Sequence, residues 1–380
     1  MTLHDTFAIV VHEMVYGPPQ AFRDYLLQKK AAGVIFFGLP FHQQKNAHLE
    51  RYEYGQLVKR TIGKHQASFG LMAFIRDFFL IIVKIGSLGD IDQYIGADPL
   101  TTCAGLVLRT TGRVRRVILY TMDFTPVRFS NPILNFIFHS MEVVCVRHAD
   151  EVWNVSPRMA EGRQKFLGLS PRTYKQAFVP VGIWNKKIPK VPYGKTQKYK
   201  ILFIGHLMEK QGLQCVIEAL SKVRALVPQA RLLVIGGGEY EANLKALATS
   251  LGVSHFITFA GWVHDPKKLY TMMATSAVAV ATYKPEVSRL HNFSYFADPG
   301  KIKDYLGAGI PIVLTDIPYN AKEIAARKCG IIARYEPGSI AAALTKLLSD
   351  EKTLKQYRAS ARAYAKELDW TIIFDRLITR

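Results

Sequence analysis

The turn Pro299-Gly300-Lys301 precedes the run Ile302-Lys-Asp304-Tyr-Leu-Gly307-Ala-Gly309 and an apolar stretch from Ile310 to Leu314. Proline and glycine suit the entry to a helix rather than its interior, and the two later glycines suit its end. A helix start exposes unpaired backbone N–H groups and the positive end of the macrodipole. Lys301 adds a full charge there, so the turn can hold an anion, most simply a phosphate; a solvated lysine on a surface loop is the alternative. Two other residues could move a proton. Asp123, in Leu119-Tyr-Thr-Met-Asp123-Phe-Thr-Pro126, stands just past a strand, where a carboxylate could take the proton of an acceptor hydroxyl. It equally suits a turn or a helix cap. His12, after the first strand, is the second candidate, and a lone histidine is as readily structural.

These groups need a scaffold, and the second half of the chain supplies its pattern. Lys200 to Ile204 reads as an apolar strand, followed by the glycine-bracketed loop Gly205-His206-Leu-Met-Glu-Lys210-Gln-Gly212. A helix with Leu213, Val216, Ile217, Leu220 and Val223 on one face comes next. Strands at Leu232–Ile235, Phe256–Phe259, Val278–Ala281 and Ile310–Leu314 alternate with further helices. Gly236-Gly237-Gly238 and Gly261-Trp262-Val263 close the second and third strands. Short apolar strands separated by helices imply right-handed crossovers and a parallel sheet covered on both faces. Ligands of such sheets sit beyond the carboxyl ends of the strands, where the glycine loops fall.

Four of these pieces, in this order, resemble the nucleotide-sugar domain of GT-B glycosyltransferases, in particular glycosyltransferase family 4, the group 1 transferases. They are Gly205-x-Leu-x4-Gly212 with Ile217-Glu-Ala, Val234-Ile-Gly-Gly-Gly, Phe259-Ala-Gly-Trp-Val, and Tyr305-Leu-Gly-Ala-Gly-Ile-Pro-Ile-Val. The resemblance covers roughly Lys200 to Leu377. It implies an α/β, GT-B fold with two Rossmann-like domains facing across a cleft, a sugar-nucleotide donor on the second and an acceptor on the first. The implied donor-binding set is Gly205, His206, Lys210, Gly237, Trp262, Val263, Pro299, Gly300, Lys301, Ile302 and Asp304, with Lys301 also catalytic beside Asp123. On the acceptor side are His12 and the Tyr16-Gly17-Pro-Pro loop, which falls where relatives place a glycine-rich loop.

The chain departs from the family at several points. His206 and Gln211 stand where many members carry an arginine and a lysine on the diphosphate. Phe296 and Asp304 stand where many carry two glutamates eight positions apart, so the first carboxylate is missing and the second is shorter. Pro-Gly-Lys-x-x-Asp-Tyr instead resembles a branch in which a lysine on this helix holds the diphosphate. Asp304 would then accept from the ribose hydroxyls, an ionised carboxylate being acceptor-only. Met122 replaces the histidine often found before Asp123. No Asp-x-Asp cluster is present, and neither a metal nor a cofactor is expected.

With 380 residues and 49% hydrophobic content the chain can build two or three sizeable cores. The alternation and a Lys- and Pro-containing boundary predict domains at 1–185 (acceptor-binding) and 186–365 (donor-binding), with residues 366–380 forming a helix that crosses back to the first. Four scattered cysteines fit neither a disulfide framework nor a metal site and read as reduced thiols of a cytoplasmic protein. The N-terminus lacks a basic leader and a long apolar run, so no signal peptide is expected.

A net charge of +20 and a pI near 9.7 favour an anionic partner. An anionic membrane surface and a phosphorylated substrate fit; nucleic acid does not, for want of a basic helix or base-reading motif. Phe69 to Ile85 is apolar over most of a helical circumference, too short and too charged to span a bilayer. It lies either buried against the sheet or in a membrane interface, where Arg109, Arg113, Arg115 and Arg116 could add lipid contacts. The reading is a hexosyltransferase that moves a sugar from a UDP- or GDP-sugar to a glycan or lipid-linked acceptor, peripheral on the inner membrane face. A nucleotide-sugar epimerase of the same shape and a catalytically degenerate scaffold are the alternatives.

Overall fold

The computed structural model describes residues 1–13, 16–40, 46–65, 71–285 and 293–378. Two compact units are present. The first takes Met1–Val181, Phe296–Asp298 and Trp370–Arg380, the second Gly182–Tyr295 and Pro299–Asp369.

The first unit holds strands β1 (Thr6–Glu13), β2 (Gly33–Pro40), β3 (Asn46–Glu53), β4 (Gln56–Lys64), β5 (Ile91–Gly96), β6 (Val114–Thr121), β7 (Glu151–Asn154) and β8 (Gln176–Phe178). They form one sheet in the order β4-β3-β2-β1-β5-β6-β7-β8. Pairing is parallel except at β2–β3 and β3–β4. That antiparallel hairpin is absent from the sequence expectation of strand–helix alternation. Its turn is Tyr54-Gly55 with φ of 48° and 82°, the two positive values that a tight two-residue hairpin needs. A Cβ on Gly55 would meet Leu27 O at 2.6 Å.

Helices α1 (Pro18–Gln28), α2 (Leu71–Gly86), α3 (Pro99–Thr110), α4 (Pro132–His148) and α5 (Pro157–Leu167) complete this part. Proline at the first helical position sets φ without losing a needed donor. Asp98, Asn131 and Ser156 cap the following N–H groups with their side chains. Arg163 on α5 is fully buried and donates to Glu142 (2.8 Å), Asn154 (2.6 Å) and Thr121 (2.7 Å), tying α5 to α4, β7 and β6.

The second unit holds β9 (Gln197–Ile204), β10 (Arg231–Ile235), β11 (Ile257–Phe259), β12 (Ser276–Ala281), β13 (Ile312–Leu314) and β14 (Gly330–Ile332). Their order is β11-β10-β9-β12-β13-β14, all parallel. Between them run α6 (Leu213–Leu226), α7 (Glu241–Ser250), α8 (Pro266–Ala274), α9 (Phe293–Phe296), α10 (Gly300–Gly307), α11 (Ala321–Ala326), α12 (Pro337–Ser349) and α13 (Glu351–Glu367). Ile201, Phe203, Val278 and Val280 join one core, while Leu202, Ala279 and Ala281 join the other. Both faces are covered, so these strands read as unbroken apolar runs. The last helix, α14 (Trp370–Ile378), belongs to the first unit, where Phe374 packs on Phe22 at 5.0 Å and Asp375 accepts from Tyr25 at 2.7 Å.

Candidate active site

In the second unit the loops after β9, β10 and β11 hydrogen-bond to one another. Gly205 N donates to Ile235 O, Leu207 N to Gly237 O and Gly236 N to Gly261 O, at 2.9–3.0 Å. Gly236 has φ of 130°, and a Cβ there would lie 2.0 Å from Gly205 O. No other residue permits that approach, so the glycines knit three strand ends into one floor.

Lys301 reaches this floor from the first turn of α10. Its Nζ donates to Gln211 Oε1 at 2.7 Å and lies 4.5 Å and 4.8 Å from the ring centres of Phe203 and Tyr283. Among the described residues no carboxylate pairs with it. Burial lowers its pKa to about 7. No side chain caps the Pro299 start of α10, and only Ile302 N turns back, to Pro299 O at 3.2 Å. A half-buried cation and open helix N–H groups on an aromatic floor have the chemistry of a diphosphate site. One turn further, burial raises Asp304 to about 7. The Tyr305 hydroxyl accepts from Ile204 N at 2.8 Å and fixes α10 against the end of β9.

The other sequence-expected donor residues sit at the rim. His206 pairs with Glu239 at 3.1 Å and lies 6.0 Å from the exposed ring of Trp262. A Cβ on Gly237 would meet Trp262 Nε1 at 2.8 Å. Val263 packs on the core. Lys210 accepts from Lys284 N through its carbonyl, and the Lys284 side chain pairs with Glu209. Gln211, read from sequence only as a departure, is the direct partner of Lys301.

Phe296 belongs to the first unit and is buried against Phe124 (5.2 Å) and Phe166 (6.5 Å). A Cβ on Gly162 would meet the rings of Phe124 and Phe296 at 2.6 and 2.9 Å. The position that carries a glutamate in many family members is here an apolar plug. Phe296→Glu is therefore expected to lower stability by roughly 1–3 kcal/mol, the cost of burying a polar group without a partner, and to gain no activity. Urea unfolding read beside the turnover assay checks both.

In the first unit, His12 stands near the carboxyl end of β1. Its Nδ1 faces Asp98 Oδ2 at 2.8 Å and its Nε2 faces Asp77 Oδ2 at 3.5 Å. The other Asp77 oxygen meets His65 and Arg76, each at 2.9 Å. Burial opposes a charge on His12, but the two carboxylates outweigh it and raise its pKa to about 10. An imidazole with a carboxylate on each nitrogen holds its proton, which suits a clamp rather than a general base. Sequence alone shows nothing of the union of Asp98 with His12 and Asp77.

Asp123 lies just beyond β6, with Oδ1 paired to Arg128, and the Arg128 guanidinium stacks 4.7 Å over Phe138. Tyr16 is exposed and donates to Asp24 at 2.8 Å. Gly17 caps α1, its N–H donating to Gln20 Oε1 at 3.0 Å.

The apolar helix is covered on one face only, so it is not the wholly buried helix that one of the two sequence readings expects. Ala73, Asp77, Ile81 and Ile85 of α2 are buried, while Leu71, Met72, Ile75, Phe79 and Val83 face outward. Arg76, Asp77 and Lys84 form no single polar face, because Asp77 turns in to His12; residue 69 lies outside the described residues. Arg109, Arg113, Arg115 and Arg116 pair with Asp150, Asp90, Asp92 and Glu151.

Residues 185–364 match the family model described as glycosyl transferases group 1. An uncharacterised glycosyltransferase of Methanocaldococcus jannaschii is 30% identical over 225 residues, 56% of this chain and 54% of that protein. A GDP-mannose-dependent monoacylated alpha-(1-6)-phosphatidylinositol monomannoside mannosyltransferase of Corynebacterium glutamicum is 24% identical over 268 residues, 62% of this chain and 68% of its own. The match spans about half of the Methanocaldococcus protein and 18% of a lipopolysaccharide core glycosyltransferase of Rhizobium meliloti. Among solved structures, sucrose-phosphate synthase from Thermosynechococcus elongatus superposes with a TM-score of 0.73 at 16% identity, covering 98% of this chain and 97% of that one. Anabaena HepE in complex with UDP gives 0.70 at 16% identity, with 98% of each chain covered. These structures show the fold, which is GT-B.

Proposed function

We propose, from the premise that this chain belongs through residues 185–364 to the group 1 glycosyl transferases, that it moves a hexosyl group from a nucleoside-diphosphate sugar to a lipid-linked or glycan acceptor. The observation that carries this reading is Lys301, a half-buried lysine with an amide and two rings for partners on a floor of three glycine loops. The leaving group is a nucleoside diphosphate, so the largest electrostatic contribution comes from donors aimed at its developing charge. Lys301, the N–H groups of Gly300 and Lys301 and the Gly205–Gly212 loop would supply them, without a metal. Asp304 would accept from the ribose. Asp123, with Oδ1 on Arg128, would take the acceptor proton through its other oxygen.

The acceptor half rests on the first unit's surface. Met72 is 77% exposed, Phe79 59% and Val83 65% on α2, and Ile133 and Phe136 stand out on α4 at 68% and 73%. α3 packs against both helices. Lys84 on α2 and Lys59 and Lys64 on β4 are exposed, with no acidic partner among the described residues. Apolar side chains beside unpaired cations suit an anionic membrane surface. No helix of the described residues is long and apolar enough to cross a membrane. The reading is a peripheral enzyme of the cytoplasmic membrane face.

Incubation with UDP- and GDP-sugars, with and without a lipid extract, tests the reaction. Both nucleotides are needed, since the Corynebacterium relative is named for GDP-mannose and the HepE structure holds UDP. Nucleotide release that requires both donor and lipid is expected. Sugar interconversion without release would instead mean an epimerase, and absence of donor binding a degenerate scaffold.

For the membrane, full burial of a Met, Phe or Val side chain is worth about 1.5–3 kcal/mol. Replacing Met72, Phe79 and Val83 together by Ser is expected to cut co-sedimentation with phosphatidylglycerol vesicles more than tenfold and to leave the melting temperature nearly unchanged. Equal sedimentation of variant and wild type would remove the membrane assignment while leaving the donor site untouched.

A further inference from the structure

We propose that Cys103 and Cys145 form a thiol–disulfide exchange site, closed to an intramolecular disulfide by a low-molecular-weight disulfide such as oxidised glutathione. Their Sγ atoms are 3.4 Å apart, Cys103 half-buried on α3 and Cys145 fully buried on the adjoining α4. Bond formation needs roughly 1.4 Å of closure, to a length of about 2.05 Å. Cys215 and Cys329 lie in the second unit, buried, and neither has a thiol neighbour among the described residues.

The two sulfurs are unequal in the way exchange requires. Contact with the Cys145 sulfur holds the Cys103 thiol below its ordinary pKa, whereas burial pushes Cys145 well above. The thiolate is the nucleophile, so Cys103 attacks first. Its sulfur displaces one glutathione thiolate and forms a mixed disulfide. Cys145 then gives up its proton and attacks Cys103 Sγ, and the second glutathione leaves. Two protein thiols are oxidised and one glutathione disulfide is reduced to two glutathiones, which balances electrons and protons.

The closure bears on the clamp around His12. In the reduced form Cys145 Sγ donates to Pro99 O at 3.2 Å, and Pro99 follows Asp98, the N-cap of α3 that holds His12 at 2.8 Å. Oxidation removes that donor and joins α3 to α4 across a separation of 42 residues. The inference rests on neither the donor site nor the membrane face.

The experiment treats the reduced full-length chain with oxidised glutathione, then measures intact mass and free thiols after denaturation. Wild type is expected to lose two of its four thiols and two hydrogen masses, retain no glutathione, melt several degrees higher and revert with dithiothreitol. Cys145→Ser should trap one glutathione on Cys103, and Cys103→Ser should not respond. The double variant Cys215→Ser/Cys329→Ser should respond as wild type does. Wild type that keeps all four thiols, or that retains glutathione without losing two hydrogens, overturns the proposal. Closure that persists in Cys103→Ser overturns it as well.

Discussion

Lys301→Ala is expected to weaken binding of UDP or GDP by about 10- to 150-fold and to leave the bare nucleosides nearly unaffected. A charge-assisted hydrogen bond is worth ~1.5–3 kcal/mol, and this one points at phosphate rather than base. The large effect follows from its partners. A lysine already paired with a carboxylate would give up one ion pair to make another, whereas Lys301 has Gln211 and two rings. Its pKa near 7 adds a pH signature. The protonated form binds the diphosphate, so affinity falls as pH rises through 7. Asp304, also near 7, must be ionised to accept from ribose, so affinity falls again below 7. Calorimetry of UDP and GDP from pH 5.5 to 8.5 should give a maximum near neutrality, and Lys301→Ala should flatten only the alkaline side. Equal losses for nucleotide and nucleoside would make Lys301 structural.

The second unit was legible because its strands are buried on both faces. Runs such as Ile201-Leu-Phe and Val278-Ala-Val feed alternate residues to two cores and stand out without any alternation. Its site was legible for a related reason: backbone approaches such as Gly236 on Gly205 demand glycine, and glycine spacing survives in one sequence. Side chains of adaptable type were less readable. Gln211 reads as the loss of a cation, and only the fold brings Lys301 onto it from a different element. The hairpin is illegible in the sequence because every residue of β4 is exposed, so the strand has no core face to impose a period. The three-residue β8 and β14 are too short to show one. On α2 the residue pattern shows amphipathicity without direction, since Asp77 faces in and Phe79 out.

Those long-range unions carry the other large effect. His12→Leu is expected to destabilise the chain by about 3–5 kcal/mol, because removing one member of a buried ion-pair cluster leaves charge uncompensated. Asp77 keeps His65 and Arg76, but among the described residues the Asp98 carboxylate keeps the hydrogen bond from Thr101 N. The pH dependence identifies the cause. The folded-state pKa of His12, about 10, lies above its unfolded value near 6.5, so its stabilisation is complete below 6.5 and disappears as pH rises through 10. Asp77 and Asp98 are shifted the opposite way, so their share is lost only in acid, as pH falls below the ordinary carboxylate value. Between pH 6.5 and 10 the wild type should therefore lose up to about 1.4 kcal/mol per pH unit from this one proton. Urea unfolding at pH 6, 8 and 10 should show that decline in wild type and a flat profile in His12→Leu. A decline that persists unchanged in the variant would mean that the proton sits elsewhere and that His12 is no clamp. If instead His12 were the general base for the acceptor, His12→Asn would lower turnover at saturating donor without changing the stability profile. An imidazole held on both nitrogens predicts the reverse, a changed profile with turnover lost only as the fold is lost.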